Sequence, residues 1–168
     1  MSIYNVTVTK VKIQDKIKIS AKIIACTNRN NANFCIRAVH NAVYNKRNPV
    51  PFGEFVPLRN LVMTLVPPLA EINTLAEDIP AGEDSVVFDL EVGQVGSLIC
   101  FDSIYEQNAL DSVKNGAQIL AVSTNDSWFT DSRGVWMHHA QSQLRAIETG
   151  RCVVRSANTG VSSVINAK

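Results

Sequence analysis

A chain of 168 residues with 46% hydrophobic residues and a mean hydropathy of +0.04 has the size and composition of one soluble globular domain with a core of its own. Its longest apolar stretch, 61–70, is broken by Thr64, Pro67 and Pro68 and is far shorter than the ~20 residues of a membrane span. Lys10, Lys12, Asp15, Lys16 and Lys18 stand where a signal peptide would be apolar, so neither a membrane span nor an export signal is expected.

The net charge of +1 conceals an asymmetry. Residues 1–50 hold nine Lys and Arg against Asp15 alone, while the remainder holds seven basic and fourteen acidic residues. The basic residues alternate with Val11, Ile13, Ile17 and Ile19 and lack interleaved aromatics. They read as the solvated faces of strands, against a nucleic-acid-binding arm. Cys26, Cys35, Cys100 and Cys152 form no CxxC pair and share no regular spacing, so free thiols are expected, with no zinc site and no disulfide framework.

In chain order, Ile3 to Ile24 alternates apolar and polar residues and predicts a pair of strands. Residues 27–34 form an Asn-rich loop, Ile36 to Val43 a further strand, and Tyr44 to Val56 an ordered loop punctuated by Pro49, Pro51 and Gly53. Leu58 to Val66 predicts a short helix that stops before Pro67-Pro68, and 70–84 reads as an acidic loop. Ser85 to Leu90 and Gln94 to Cys100 predict a hairpin around Glu91-Val92-Gly93. A helix over Tyr105 to Lys114 ends at Asn115-Gly116, a good C-cap pair. A buried strand over Gln118 to Ser123 leads into a polar loop carrying Trp128 and Phe129. A helix follows over Trp136 to Glu148, stopped by Gly150. Strands over Arg151 to Ser156 and Val161 to Ile165 close the chain. This alternation argues for an α/β domain.

Chemistry concentrates on Gln94 to Ser103. An apolar run delivers Cys100 to a break that precedes a helix, which is how a nucleophilic thiol is presented near backbone N–H groups and a helix N-terminus. Set beside it are Tyr44-Asn45-Lys46-Arg47, Val50-Pro51-Phe52-Gly53-Glu54, Ser123 to Phe129, the helix from His138 to Glu148 with Gly150-Arg151, and Asn158-Thr159-Gly160. Together these stretches resemble the nitrilase (carbon–nitrogen hydrolase) superfamily and, within it, the C-terminal part of the catalytic domain of the apolipoprotein N-acyltransferases, VPFGEFVPLR being the most specific phrase. The resemblance runs from Tyr44 to the C-terminus, so the chain divides into a basic strand-like segment, 1–43, and a nitrilase-like part, 44–168.

That resemblance implies a nitrilase-type αββα sandwich, incomplete at its N-terminal side, and an acyltransferase of Glu-Lys-Cys type. Cys100 is then the nucleophile that takes an acyl chain from a phospholipid as a thioester and passes it to the N-terminal cysteine amine of a lipoprotein. Lys46 is the catalytic lysine near the developing oxyanion, and Glu54 a second acid that supports the site. Phe101, Asp102, Trp128 and Phe129 line the substrate pocket. Phe101-Asp102 stands where the family often has Tyr-Glu. The family's general-base glutamate has no counterpart, since residues 1–53 contain no Glu and Asp15 is their only carboxylate. The resemblance implies no cofactor and no metal. It places the family's domain at the cell membrane on its outer side, with phospholipid and apolipoprotein as partners, and a half sandwich predicts self-association or a missing N-terminal half. Two other readings are a soluble amidase of the superfamily acting on a small amide, and a catalytically inactive remnant or binding domain.

On a helix, adjacent His138 and His139 point in different directions, so one is expected to be buried and bonded and the other exposed. Arg145 and Glu148 read as a structural pair.

Overall fold

The computed structural model describes residues 3–13, 17–28, 31–37, 43–65, 78–90, 93–130 and 132–167, with side chains described from Val43 onward, Met63 and Leu65 excepted. A first sheet of four antiparallel strands runs in the order β1 (Ile3–Ile13), β2 (Ile17–Asn28), β3 (Asn31–Arg37) and β4 (Val43–Asn45). The expected strand pair at the N-terminus is β1 and β2, with Ile3 opposite Cys26 and Ile13 opposite Ile17. The Asn-rich stretch 27–34 is not the loop its composition suggests. Asn28 pairs with Asn31, and most of the stretch belongs to β2 and β3, because the register of a long antiparallel pair overrides weak local preference. The solvated faces expected for the basic residues of 1–42 lie outside the described side chains.

A second sheet carries the site. Its five strands run in spatial order β5 (Val87–Leu90), β6 (Gly93–Ile99), β7 (Ile119–Thr124), β8 (Cys152–Ala157) and β9 (Ser163–Ile165). The outer pairs are antiparallel, and β6, β7 and β8 are mutually parallel. The parallel core follows from the two crossovers, helix α2 (Glu106–Lys114) between β6 and β7, and helix α3 (Gly134–Thr149) between β7 and β8. Being covered on both faces, β7 is buried along its whole length. The expected hairpin is β5–β6, and α2 and α3 stop where Gly116 (φ +100°) and Gly150 (φ +61°) take a left-handed backbone. Helix α1 (Arg59–Leu65) is the short helix expected after Leu58, its Arg59 paired with Asp78.

The main core joins Leu98 of β6, Leu120 and Val122 of β7 and Val153 of β8 to Ala109 of α2 and Ala146 of α3. A Cβ on Gly96 would sit 2.7 Å from Ser112 Cβ and 3.0 Å from Ala117 Cβ, so α2 lies directly against β6. That close approach sets the end of β6, where Cys100 stands. A smaller cluster of Tyr44, Phe88 and Ile99 ties β4 to β5 and β6.

Candidate active site

Cys100 follows the last residue of β6 and opens a single 3₁₀ turn, Cys100–Ile104, before α2. Ligand sites in such sheets lie at the carboxyl ends of parallel strands, which is where this places it. Its backbone is left-handed, φ +50°, a conformation that costs a residue with a Cβ roughly 1–2 kcal/mol. Strain of this kind persists only where the surroundings impose it. Here the Ile99 N–H donates to Asp102 Oδ2 (3.1 Å), the Ser103 hydroxyl donates to the Cys100 carbonyl (2.7 Å), and Arg145 Nη1 donates to the carbonyls of Ser103 (3.1 Å) and Ile104 (2.7 Å). Cys100 is half-buried and, like Cys152, a free thiol; the side chains of Cys26 and Cys35 lie outside the described residues.

Lys46 lies just past β4 and is 2% exposed. Its Nζ is 2.8 Å from Glu54 Oε1 and 2.6 Å from Oε2, and Glu54 Oε2 also accepts the Val50 N–H at 2.7 Å. Two charges withdrawn from water in this way are held only by close, well-partnered geometry. The turn that brings them together is Val50 to Glu54, whose Gly53 and Glu54 N–H groups both reach the Val50 carbonyl.

Asp102 joins these two halves. It is fully buried, and its carboxylate accepts four hydrogen bonds: from Tyr44 Oη (2.8 Å) and the Ile99 N–H on Oδ2, and from the N–H groups of Arg47 (3.1 Å) and Asn48 (2.8 Å) on Oδ1. Burial raises its pKa, and the bonds from Tyr44, Ile99 and Asn48 together with the Lys46 charge oppose that rise. Tyr44 is likewise pushed up by burial and by the neighbouring carboxylate, so it remains a hydrogen-bond donor. Arg47 on Asp111 (3.0 Å) and Asn48 on Asn108 (2.7 Å) fasten the same loop to α2. Asp102 is therefore taken up by hydrogen bonds inside the protein, where a pocket-lining place was expected of it.

Of the aromatics, Trp128 is 62% exposed and its ring lies over Gly53, 3.5 Å from where a Cβ would be, so the loop after β7 meets the Lys46–Glu54 turn. Phe129 is half-buried against the His138 ring, and Phe101 packs edge-on against Tyr105.

The carbon–nitrogen hydrolase family matches residues 14–168. The chain belongs to that family. Over 125 residues it is 38% identical to an apolipoprotein N-acyltransferase of Gloeobacter violaceus and 35% identical to one of Pasteurella multocida. Those alignments cover 74% and 73% of this chain, and 23% of each relative, so the chain spans less than a quarter of the curated relatives it matches. Among solved structures it resembles the C. elegans NitFhit protein (TM-score 0.59, 22% identity, 82% of this chain and 34% of that one). It also resembles a glutamine-dependent NAD+ synthetase from Acinetobacter baumannii (TM-score 0.60, 15% identity, 82% and 25%). These likenesses agree with the nitrilase-type α/β fold. Among the described residues no helix is long and apolar enough to cross a membrane.

Several groups of this carbon–nitrogen hydrolase domain, most of them inside the motif stretches, have partners that the motifs do not indicate. Tyr44, the first residue of the Tyr44–Arg47 stretch, anchors Asp102 from 58 residues away. Asp126 and Arg155 are both buried, and Arg155 Nη2 donates to Asp126 Oδ2 at 2.8 Å. The single cue was an acid in Asn125-Asp126-Ser127 at a strand end, facing a lone arginine in the apolar strand β8. His138 is the buried histidine of the pair; His139 is half-buried and meets the Ser163 hydroxyl at 2.8 Å, so it is less exposed than expected. Arg145 and Glu148 form a two-bond pair at 2.7 Å each, as expected.

Proposed function

We propose that this domain performs the acyl transfer of an apolipoprotein N-acyltransferase. The Cys100 thiolate adds to the ester carbonyl of a phospholipid, and the tetrahedral intermediate expels the alcohol, which leaves with a proton. The acyl group then rests on Cys100 as a thioester. The amine of a lipoprotein's N-terminal cysteine attacks that thioester, loses its proton and becomes an amide, and the thiolate is released. Lys46, held by Glu54, supplies positive charge to the oxyanion. Phe101, Trp128 and Phe129 line the path of the acyl chain, and no cofactor or metal takes part.

The observation that carries this reading is the strained Cys100 at the end of a parallel strand, fastened through Asp102 to the loop that bears the Lys46–Glu54 pair. Identities of 35–38% to proteins named apolipoprotein N-acyltransferase favour this chemistry over hydrolysis of small amides. Exposed Phe52, Leu58, Leu61 and Trp128 beside the same turn suit an apolar donor at the outer face of a membrane.

Intact-mass analysis after incubation with phospholipid vesicles tests the proposal, with Cys100→Ala as control and short amides as a parallel substrate. A gain of one acyl chain that hydroxylamine removes and the control lacks is the expected result. Turnover of the amides without any adduct would favour the amidase reading. No adduct, no turnover and Cys100 labelling no faster than Cys152 would leave an inactive domain. Sedimentation of the same sample tests the self-association expected of a half sandwich.

A further inference from the structure

We propose that His138 is a positioning residue: it holds Cys100 in its left-handed conformation by donating a hydrogen bond to the Cys100 carbonyl, and Asp126 and Arg155 orient its ring. The Cys100 carbonyl can only accept, so the donor in its 3.2 Å contact with His138 is the Nε2–H. The same nitrogen is 3.2 Å from the Ser103 hydroxyl, whose own proton goes to the Cys100 carbonyl. His138 Nδ1 faces Asp126 Oδ1 at 2.8 Å, and Thr124 Oγ1 donates to that same oxygen at 2.8 Å. Arg155 Nη2 donates to Asp126 Oδ2 at 2.8 Å and stands 3.1 Å from His138 Nδ1, while its Nη1 donates to Ser142 Oγ at 3.0 Å on α3.

Each member of this relay is buried, with Asp126 1%, Arg155 2% and His138 4% exposed, so the ring cannot trade these partners for water. The carboxylate is fixed from behind as well. Asp126 N–H donates to the Thr159 carbonyl at 3.1 Å, and a Cβ on Gly160 would fall 2.4 Å from Asp126 Oδ2, so the Asn158-Thr159-Gly160 segment leaves it no room to swing. The relay thus runs from β8 through the end of β7 and α3 to the carbonyl of a residue under backbone strain. The bond from His138 adds to the Ser103 hydroxyl at that carbonyl in opposing relaxation of the turn.

A rival role is proton transfer, because the Cys100 Sγ, an Asp126 carboxylate oxygen and a His138 ring nitrogen all lie within 4.8 Å of one another. Two substitutions separate the roles. His138→Gln places an amide N–H near the Nε2 position but cannot take a proton; His138→Asn keeps a donor near Nδ1 for Asp126 and falls short of Cys100. Both are read in the full chain labelled with ¹³C-cysteine, where the Cα and Cβ shifts of Cys100 report its backbone conformation, and by the rate at which iodoacetamide alkylates Cys100 relative to Cys152. His138→Asn is expected to move the Cys100 shifts and slow its alkylation about tenfold, and His138→Gln to keep the shifts and stay within about twofold of the wild-type rate.

Unchanged shifts and rate in His138→Asn would overturn the proposal. Retained shifts with a rate in His138→Gln as low as in His138→Asn would overturn it in favour of a base. Should His138→Asn disturb the Cys152 shifts too, a sign of general unfolding, Asp126→Asn replaces it. That variant weakens the hold on the ring, and undisturbed Cys100 shifts there would equally refute the relay. The alkylation arm rests on Cys100 being the nucleophile, whereas the shifts read its backbone whatever its chemistry, so failure of one reading is distinguishable from failure of the other.

Discussion

Replacing Asp102 tests whether the cysteine turn and the lysine loop are one unit. Its carboxylate accepts from Tyr44, Ile99, Arg47 and Asn48, all from within the protein. In Asp102→Asn the amide oxygen can still take the Arg47 and Asn48 N–H groups, and the Tyr44 hydroxyl can turn to accept from the new NH₂. The Ile99 N–H cannot turn, and it would face a donor. One buried donor left without an acceptor costs roughly 1–3 kcal/mol, so a loss of about 2 kcal/mol is expected. In Asp102→Ala all four donors lose their acceptor, and about 4 kcal/mol is expected, at the upper end of single substitutions. At 2–4 °C per kcal/mol for a chain of this size, the Tm falls by about 4–8 °C and 8–16 °C respectively. Thermal unfolding followed by circular dichroism reads both, and alkylation of Cys100 in the folded Asn variant reads the turn itself. Stabilities within about 0.5 kcal/mol of wild type for both variants would refute the latch.

At position 100, Gly accepts φ +50° at no steric cost, so Cys100→Gly is expected to be about 1 kcal/mol more stable than Cys100→Ala in urea unfolding; the reverse order would show that the turn is unstrained. Gly96→Ala should cost about 2 kcal/mol, because its Cβ meets Ser112 Cβ at 2.7 Å and α2 must move away from β6. Burial acts to raise the Asp126 pKa, but the bonds from His138 and Thr124 and the Arg155 charge outweigh it and hold the group below the ordinary carboxylate value. A depressed carboxylate stabilises the fold above its unfolded pKa near ~4 and loses that contribution as pH falls through the lower folded value. Unfolding from pH 6 to pH 3 should thus show a steep loss below about pH 4 that Asp126→Asn flattens, and identical profiles would contradict it.

What was legible in the sequence was local. The run from Val95 to Ile99, the break at Cys100 and the Asn115-Gly116 stop predict strand, turn and helix, because periodicity and capping act over a few residues. The Arg145–Glu148 pair was readable for the same reason, lying one helical turn apart. Asp102 was not. Two residues after a candidate nucleophile, an acid looks like a group for substrate, and it is Tyr44, Arg47 and Asn48, more than fifty positions earlier, that bind it together with the nearby Ile99 N–H. The pairing of Lys46 with Glu54 depends on a tight turn whose outcome no periodicity reports. His138 was recognisable as one of two helix positions with different environments, but its partners come from β8 and from the end of β7. The Asn-rich stretch misled for the converse reason, since propensity spoke for a loop and strand register prevailed.

Among the described residues the buried carboxylates are Glu54, Asp102 and Asp126, and each is already engaged. Glu54 holds Lys46, Asp102 holds the backbone of two loops and Asp126 holds Arg155 and His138. A base that accepts a thiol proton must have a lone pair free to do so and must survive becoming neutral. Protonating any of these three would leave a buried cation or several amide donors without their acceptor, at a cost of roughly 1–3 kcal/mol or more per group. None of them suits the task, and residues 1–53 offer no glutamate in their place. With Cys100 as the proposed nucleophile and His138 as a positioning residue, the thiol proton leaves to solvent or to a base that diffuses in. At fixed pH and ionic strength, adding imidazole is therefore expected to raise the rate of thioester formation on Cys100 in proportion to its concentration. Added sodium chloride should leave that rate unchanged. A rate indifferent to imidazole would mean that the folded chain already holds a working base, and His138 and Asp15 would be the first residues to replace.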